Sequence, residues 1–162
     1  MTEPVCQDAV DLVKHFEGLY LKAYLCPAGV PTIGYGHTAG VTLGDTITEA
    51  QADAYLAGDL TGAAAGVDRL VKVTINPQQR GALASFAFNL GVGNLEGSTL
   101  LKKVNAQDFA GAAGEFGKWV YSTVDGRKVA LQGLVKRRAA EAALFEGKAD
   151  FLNAEPTPAA TA

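Results

Sequence analysis

The chain has 162 residues, of which 48% are hydrophobic, so it can bury a core and fits one domain or one domain with two lobes. Its formal net charge of -3 and its pI near 5.3 argue against long-range attraction to nucleic acid or to an anionic membrane surface. Two cysteines, Cys6 and Cys26, are too few for a disulfide scaffold, and we therefore expect free thiols in a reducing compartment.

The N-terminal residues combine neither a basic region nor an apolar run, the two parts of a secretory signal. No stretch of the sequence approaches the roughly 18 apolar residues that a membrane-spanning helix needs. We therefore expect no signal peptide and no membrane anchor.

Apolar residues at three-and-four spacing predict a first helix over residues 5–17, which Gly18 ends. Glu17 then lies in the last turn. Residues 19–33 are expected to form two short strands, because proline and glycine at 26–29 favour a turn between them.

A capping box at Thr48 predicts the start of a long helix that continues to residue 71. Three glycines share one face of this helix, where we expect a bend or a closely packed neighbour: Gly58, Gly62 and Gly66. A helix of this length could join two lobes.

Asn76, followed by proline and then by glutamine at 79, predicts a second strong helix start, and this helix runs to Leu90. Shorter helices are predicted over residues 99–104, 107–116 and 135–145. Residues 149–162 are rich in alanine and proline without a core pattern, which predicts a flexible tail.

Glu17 is the first candidate for chemistry. A carboxyl group at the C-terminal end of a helix meets the negative end of the dipole, and Glu17 also follows apolar Phe16, so both effects favour the protonated form. A general acid requires that form near neutral pH. The ordinary alternative is a solvated glutamate on a helix.

Cys26 stands beside the predicted turn, where a partly exposed thiol is a candidate base or nucleophile. The alternative is a small buried hydrophobe. Thr32 offers a hydroxyl that can orient water, although threonine is common in strands. Neither residue is persuasive by itself, and only the set with Glu17 points to an acid, a base and a water-positioning group.

Metal and cofactor chemistry have no support in the sequence. His15 and His37 are the only histidines, and their placement excludes the His-Glu-x-x-His zinc motif. The glycine-rich residues 34–40 lack the Lys-Ser/Thr pair of a phosphate-binding loop. We therefore expect no metal and no cofactor.

Arg137 and Arg138 lie one turn before Glu141 on the last predicted helix. They could form a solvated charged face. One arginine could instead turn inward, pair with Glu17 and fix the orientation of its carboxyl group. The sequence leaves both interpretations open.

The segments around the three candidate residues resemble the phage-type lysozymes, the muramidases with which tailed bacteriophages break the wall of their host. The key pattern of that family is Glu, eight residues, Asp or Cys, five residues, Thr, which Glu17, Cys26 and Thr32 match. Similar blocks follow in the family's order at residues 47–60, 86–91 and 133–141. The resemblance covers nearly all of residues 5–148.

This resemblance implies an α+β, mainly helical fold of the lysozyme type over residues 1–148. A small N-terminal lobe with a β-hairpin would be joined by a long helix to a helical C-terminal lobe, with the glycan cleft between the lobes. By the same resemblance, His37 would pair with Asp59. Through the inward-turning arginine described above, Arg137 and Arg138 are the expected supporting residues of the site. Three residues would border the cleft as substrate-binding groups: Phe88, Asn89 and Ser98.

The reaction implied is hydrolysis of the β-1,4 bond between N-acetylmuramic acid and N-acetylglucosamine in peptidoglycan, for lysis of the host cell. Glu17 would protonate the leaving oxygen. Cys26 replaces the aspartate of the two-carboxylate form of the family. It could accept a proton from water, attack the sugar directly, or position water together with Thr32. Inversion and retention of configuration both stay open.

Two other classes of function compete with this interpretation. A cysteine amidase or peptidase would use Cys26 with His15 or His37 and cut the peptide part of the wall. A non-catalytic module could keep the fold and bind glycan only. For the muramidase we expect a monomer that binds a glycan strand, waits in the host cytoplasm and reaches the wall through a holin-type membrane lesion.

Overall fold

The computed structural model describes residues 3–156 as seven α-helices and two antiparallel β-hairpins. The helices are α1 (Gln7–Glu17), α2 (Glu49–Leu70), α3 (Pro77–Leu90), α4 (Val92–Glu96), α5 (Thr99–Asn105), α6 (Phe109–Glu115) and α7 (Gln132–Phe145). The strands are β1 (Tyr20–Leu25), β2 (Pro31–Gly34), β3 (Tyr121–Val124) and β4 (Arg127–Ala130). Short 3-10 helices follow at Phe116–Lys118 and Phe151–Asn153.

The first hairpin belongs to a small N-terminal lobe. Strands β1 and β2 pair in antiparallel register, with Tyr24 opposite Thr32, and the bridge between Lys22 and Thr46 extends the outer edge of β1. A small core of five residues fixes this lobe to the helices beneath it: Val13, Tyr35, Ala52, Leu56 and Leu60. The two-stranded hairpin is therefore held in place by α1 and α2 and not by further strands.

Helix α2 contributes to both cores of the molecule. Leu56 and Leu60 belong to the N-terminal core, whereas Ala64 and Val67, one and two turns further on, belong to the larger core of the helical lobe. The larger core also contains buried residues of α1, α3, α5, α6 and α7. One helix thus connects the two lobes, which confirms the predicted mainly helical, two-lobed α+β fold.

Local sequence accounts for the long helices. Thr48 and Asn76 each accept a hydrogen bond from the backbone N–H three residues on, and the glutamine at that position bonds back to the cap. Both helix starts satisfy otherwise unpaired N–H groups in this way. A Cβ at Gly66 would lie 2.7 Å from Val92 at the start of α4, so the predicted close neighbour is present there, whereas Cβ atoms at Gly58 and Gly62 would have no heavy atom within 4 Å.

One helix and one hairpin were not predicted. Helix α4 has only five residues and follows directly on Gly91, so it has no repeating apolar pattern. Strands β3 and β4 are exposed or half-buried throughout, and strands without a buried face lack the alternation that marks a strand in a sequence. Their turn does carry a signal in the sequence, because Asp-Gly is a preferred pair for tight hairpin turns. In the structure Asp125 and Gly126 both have the positive φ that such a turn requires.

The predicted tail begins with packed structure. Phe151 is 6% exposed and belongs to the core of the helical lobe, and Leu152 packs against that core. Residues 149–154 therefore rest on the body of the protein, whereas 157–162 lie outside the described residues. The division after residue 148 stays a prediction.

None of the helices within residues 3–156 combines the length and the apolar character that crossing a bilayer requires.

Candidate active site

A cleft of about 590 Å³ lies between the two lobes. The hairpin side contributes Tyr24, Cys26, Pro27, Thr32 and Gly36, and the helical side contributes Asp59, Gly62, Ala63, Phe88, Asn89 and Val92. Glu17 lies in the lining as well. The structure therefore brings Glu17, Cys26 and Thr32 to one shared groove, together with Phe88 and Asn89.

Glu17 is the last residue of α1, and Gly18 ends the helix with a φ of 73°. Its side chain is 21% exposed, and Nη1 of Arg137 donates a hydrogen bond to its Oε2 at 2.6 Å. Arg137 is thus the arginine that turns inward, and it fixes the carboxyl group in place.

Gly36 closes the other side of Glu17. It has a φ of 81° and lies in a tight turn. Ile33 and His37 close this turn, because the backbone N–H of each donates to the carbonyl of the other. A Cβ at this position would lie 2.7 Å from Oε1 of Glu17. The turn therefore lets backbone approach the carboxyl group, and only glycine fits there without displacing it.

Cys26 lies at the start of the turn between β1 and β2. Its N–H donates to the Val30 carbonyl at 3.1 Å, and Gly29, with a φ of 77°, lets the chain reverse. The backbone hydrogen bond from Val30 is the main cause that lowers the pKa of the Cys26 thiol, with Ala28 and Thr32 adding to it against partial desolvation. The turn favours the thiolate, the form that acts as a base.

Thr32 is 4% exposed, and its hydroxyl donates to the Val30 carbonyl at 2.9 Å. Because a hydroxyl has one proton, Thr32 donates either to this carbonyl or to the sulfur of Cys26. In both cases its lone pairs can accept a hydrogen bond from water. Thr32 and Cys26 thus form a pair that can hold and orient one solvent molecule.

Tyr24 is a cleft residue that sequence reasoning missed. Burial raises the pKa of its phenol, and the charges of Tyr20, Glu17 and Cys26 add to the rise. The phenol therefore stays a neutral O–H donor facing the groove. Its place opposite Thr32 in the hairpin register could have indicated it, once the pairing of β1 and β2 was known.

The remaining predicted residues are His37 and Asp59, which form a pair between the lobes, and Ser98, which lies elsewhere. His37 Nδ1 lies 2.8 Å from Asp59 Oδ2, and the imidazole stacks on Tyr55, so this pair joins the hairpin lobe to α2. Ser98 is placed differently from its prediction. It is 2% exposed and caps α5, where it accepts from Leu101 N–H and donates to the Leu95 carbonyl, so it lies away from the cleft lining.

The geometry does not supply a cysteine-protease arrangement. Among the described residues, the Cys26 thiol has hydrogen bonds with the backbone of Val30, Ala28 and Gly29 and with the side chain of Thr32, and none of these partners is a histidine. His37 is engaged by Asp59, and His15 packs against Phe16. Cys26 is therefore set beside a hydroxyl and a cleft, not beside an imidazole. Within residues 3–156, no group of three or more His, Cys, Asp and Glu side chains could hold a metal ion.

A two-lobed helical fold with a β-hairpin, and an acid, a thiol and a hydroxyl that line one inter-lobe cleft, define a glycoside hydrolase of the lysozyme class. Residues 14–141 match the family described as phage lysozyme. The chain belongs to this family.

Individual proteins agree with the family match. The chain is 45% identical over 142 residues to an endolysin of Acyrthosiphon pisum secondary endosymbiont phage 1, a match that covers 88% of this chain and 97% of that protein. It is 45% identical over 147 residues to the endolysin of Bacillus phage B103, and this match covers 87% of the chain but only 53% of that longer protein. The solved muramidase domain of SpmX from Asticaccaulis excentricus superposes with a TM-score of 0.82 at 36% identity, covering 87% of this chain and 96% of that one.

If Glu17 takes part in the chemistry, Gly36→Ala is expected to reduce kcat/KM by about 100-fold, because a displacement of about 1 Å at a reacting group has an effect of that order. Gly40→Ala is the matched control. Gly40 has a similar φ of 70° but no heavy atom within 4 Å of its Cβ position, so it carries the backbone strain without the contact. The hydrolysis rates of the two variants on purified peptidoglycan are compared. Equal losses of kcat/KM in the two variants would show that backbone strain, and not displacement of Glu17, is responsible.

Cys26→Asp is expected to keep kcat/KM within about tenfold and to move the pH optimum to lower pH. A base must be deprotonated, and a carboxyl group loses its proton at about pH 4 whereas a thiol ordinarily does so at about 8.5. Cys6→Ser, at the half-buried thiol outside the cleft lining, is the control and should leave the profile unchanged. A pH–rate profile of Cys26→Asp that overlays the wild type would exclude a base at position 26.

Proposed function

We propose that this protein hydrolyses the β-1,4 bond between N-acetylmuramic acid and N-acetylglucosamine, with Glu17 as the proton donor. The observation that carries the proposal is the placement of Glu17 in the cleft between two lobes. Arg137 binds Oε2 of the carboxyl group, so Oε1 is the oxygen left to carry the proton. A proton held there can pass to the glycosidic oxygen as its bond to the anomeric carbon breaks.

Cys26 and Thr32 supply the second half of the proposed reaction. The thiolate accepts a proton from a water molecule that Thr32 orients, and the water oxygen bonds to the anomeric carbon. One C–O bond forms and one breaks, Glu17 loses a proton and Cys26 gains one. The lowered pKa of the thiol favours the thiolate, which either route needs. The hydroxyl of Thr32 beside the sulfur supports water activation over direct attack of sulfur on the sugar.

Phe88 and Asn89, at the C-terminal end of α3, are the proposed substrate-binding residues on the helical side of the cleft. A half-buried aromatic ring can pack on a sugar face, and an amide can bind an acetamido group or a hydroxyl. Nη2 of Arg138 donates to Asn89 Oδ1 at 2.8 Å, so the amide nitrogen is left to donate to the substrate. His37 and Asp59 are assigned a structural role between the lobes.

Glu17→Gln tests the central assignment, because glutamine keeps the shape of glutamate but cannot donate a carboxyl proton. Its kcat should fall by about 100- to 10,000-fold, the usual size of general-acid catalysis. Digests of purified peptidoglycan are assayed for new reducing ends and new free amines, and mass analysis of the fragments identifies the cleaved bond. Glu146→Gln, at a half-exposed carboxylate on the far end of α7, is the control with wild-type activity.

Release of free amines in place of reducing ends would identify an amidase or peptidase. A wild-type protein that binds peptidoglycan without releasing either product would identify a binding module. Full activity of Glu17→Gln would end the assignment of Glu17.

We also propose that the enzyme acts as a monomer and reaches the wall from the host cytoplasm through a holin-type membrane lesion. A single chain supplies both sides of the cleft, which supports a monomer. Purified protein added from outside should lyse permeabilised Gram-negative cells, in which the wall is exposed, and leave intact cells unlysed. Turbidity of the two suspensions measures this; equal lysis of both would contradict the dependence on a lesion.

A further inference from the structure

Behind the cleft, α3 and α7 bury a charged cluster, and the proposed reaction assigns no role to its central residue, Glu141. The members of the cluster are Ser85, Asn89, Arg137, Arg138 and Glu141. Arg138 and Glu141 have no exposed side-chain surface, and Arg137 is 4% exposed. Burying ionised groups is costly, and removal of one partner leaves the other uncompensated. A cluster of this kind in a chain of this size therefore requires an explanation beyond packing.

Glu141 is the centre of the cluster. Its Oε2 accepts hydrogen bonds from Ser85 Oγ at 2.5 Å, Arg138 Nη2 at 3.1 Å and Arg137 Nε at 3.4 Å. Its Oε1 lies 2.7 Å from Arg138 Nε, at an angle outside hydrogen-bonding geometry. Among the described residues, Nη1 of Arg138 has no hydrogen-bond partner. Arg138 is thus held mainly by the charge of Glu141 and by the ring of Phe86, 5.3 Å from its guanidinium carbon.

Each arginine links Glu141 to a residue of the cleft through hydrogen bonds. Arg137 uses Nε for Glu141, Nη2 for the hydroxyl and carbonyl of Ser85, and Nη1 for Glu17. Arg138 uses one nitrogen, Nη2, for both Glu141 and Asn89. Glu141 therefore lies behind the proton donor and behind a cleft amide at the same time, without touching the cleft itself.

We propose that Glu141 is a positioning residue that orients Arg137 and balances its charge, so that the cleft carboxyl group can hold a proton. This inference rests on the proposed role of Glu17 as the acid. Without the charge of Glu141, two guanidinium groups would face the site with only Glu17 to neutralise them, and the ionised form of Glu17 would be favoured. Because the dielectric constant inside a buried cluster is low, the charge of Glu141 affects groups beyond those that it contacts directly.

The other charged groups around Glu17 come from the remaining elements that face it. Strand β1 contributes Tyr24, the turn contributes Cys26, and α2 contributes Asp59 with its partner His37. The variants below leave all of these residues unchanged. A change in the pH dependence of the rate would therefore come from the altered charge of the buried cluster and not from these groups.

The test compares three variants through the pH optimum of kcat/KM. Glu141→Gln keeps the shape and removes the negative charge, so the optimum should move to lower pH by about half a unit, and kcat should fall by about tenfold as Arg137 loses its orientation. Arg138→Met removes a cation, so the optimum should move in the opposite direction. The double variant Glu141→Gln with Arg138→Met has the net charge of the wild type, and its optimum should return towards the original value.

The matched control is Glu146→Gln, the same chemical change at the residue that follows α7. Glu146 is half-exposed and lies 3.6 Å from Lys148, so its charge is screened by solvent and the optimum should stay in place. A purely structural role of Glu141 would lower the melting temperature and the amount of active enzyme without moving the optimum. Each rate is divided by the folded fraction measured at the same pH, because stability varies with pH, so partly folded variants remain informative.

An optimum that does not move in whichever of the single variants folds would overturn the inference. So would shifts of the same sign in Glu141→Gln and Arg138→Met. These outcomes are distinct from a failure of the proposed function, which would show as a wild-type protein that releases no reducing ends or as a fully active Glu17→Gln variant.

Discussion

The ion pair between Glu17 and Arg137 is the interaction on which the rest of the site depends. It joins the end of α1 to α7 across 120 residues of sequence, with Nη1 and Oε2 2.6 Å apart. The pair fixes one oxygen of the carboxyl group, and the turn at Gly36 limits the space for the other. Neither the hairpin nor the helical lobe alone could position this acid, because the two contacts come from opposite sides of the cleft.

The same ion pair creates an electrostatic problem that the helical lobe resolves. An arginine beside the acid stabilises the ionised form, which opposes proton donation. The buried Glu141 faces that arginine from behind, and Ser85 and Arg138 both donate hydrogen bonds to its Oε2. The charges of Glu17, Arg137, Glu141 and Arg138 therefore form one connected set, in which the cleft residue is the only member that solvent and substrate can reach to a substantial degree.

Cys26 and Thr32 depend on a different kind of constraint, which is local. A five-residue span from Cys26 to Val30 reverses the chain, and its backbone hydrogen bonds lower the pKa of the thiol without any charged neighbour. Thr32 follows on the paired strand. The acid is thus positioned by contacts distant in sequence and the thiol by contacts close in sequence, and the lobes bring the two to one groove through α2.

The sequence by itself determined the helices with strong caps, the first hairpin and the pattern of Glu17, Cys26 and Thr32, because capping, turn chemistry and spacing are local properties. It did not determine α4 or the exposed hairpin of β3 and β4, whose residues bury too little surface to leave a periodic pattern. Only the tertiary structure decided that Arg137 turns to Glu17 while Arg138 turns to Asn89, and that Ser98 caps a helix away from the cleft. Adjacent arginines on a helix are equivalent in sequence, and packing against α3 is what separates their partners.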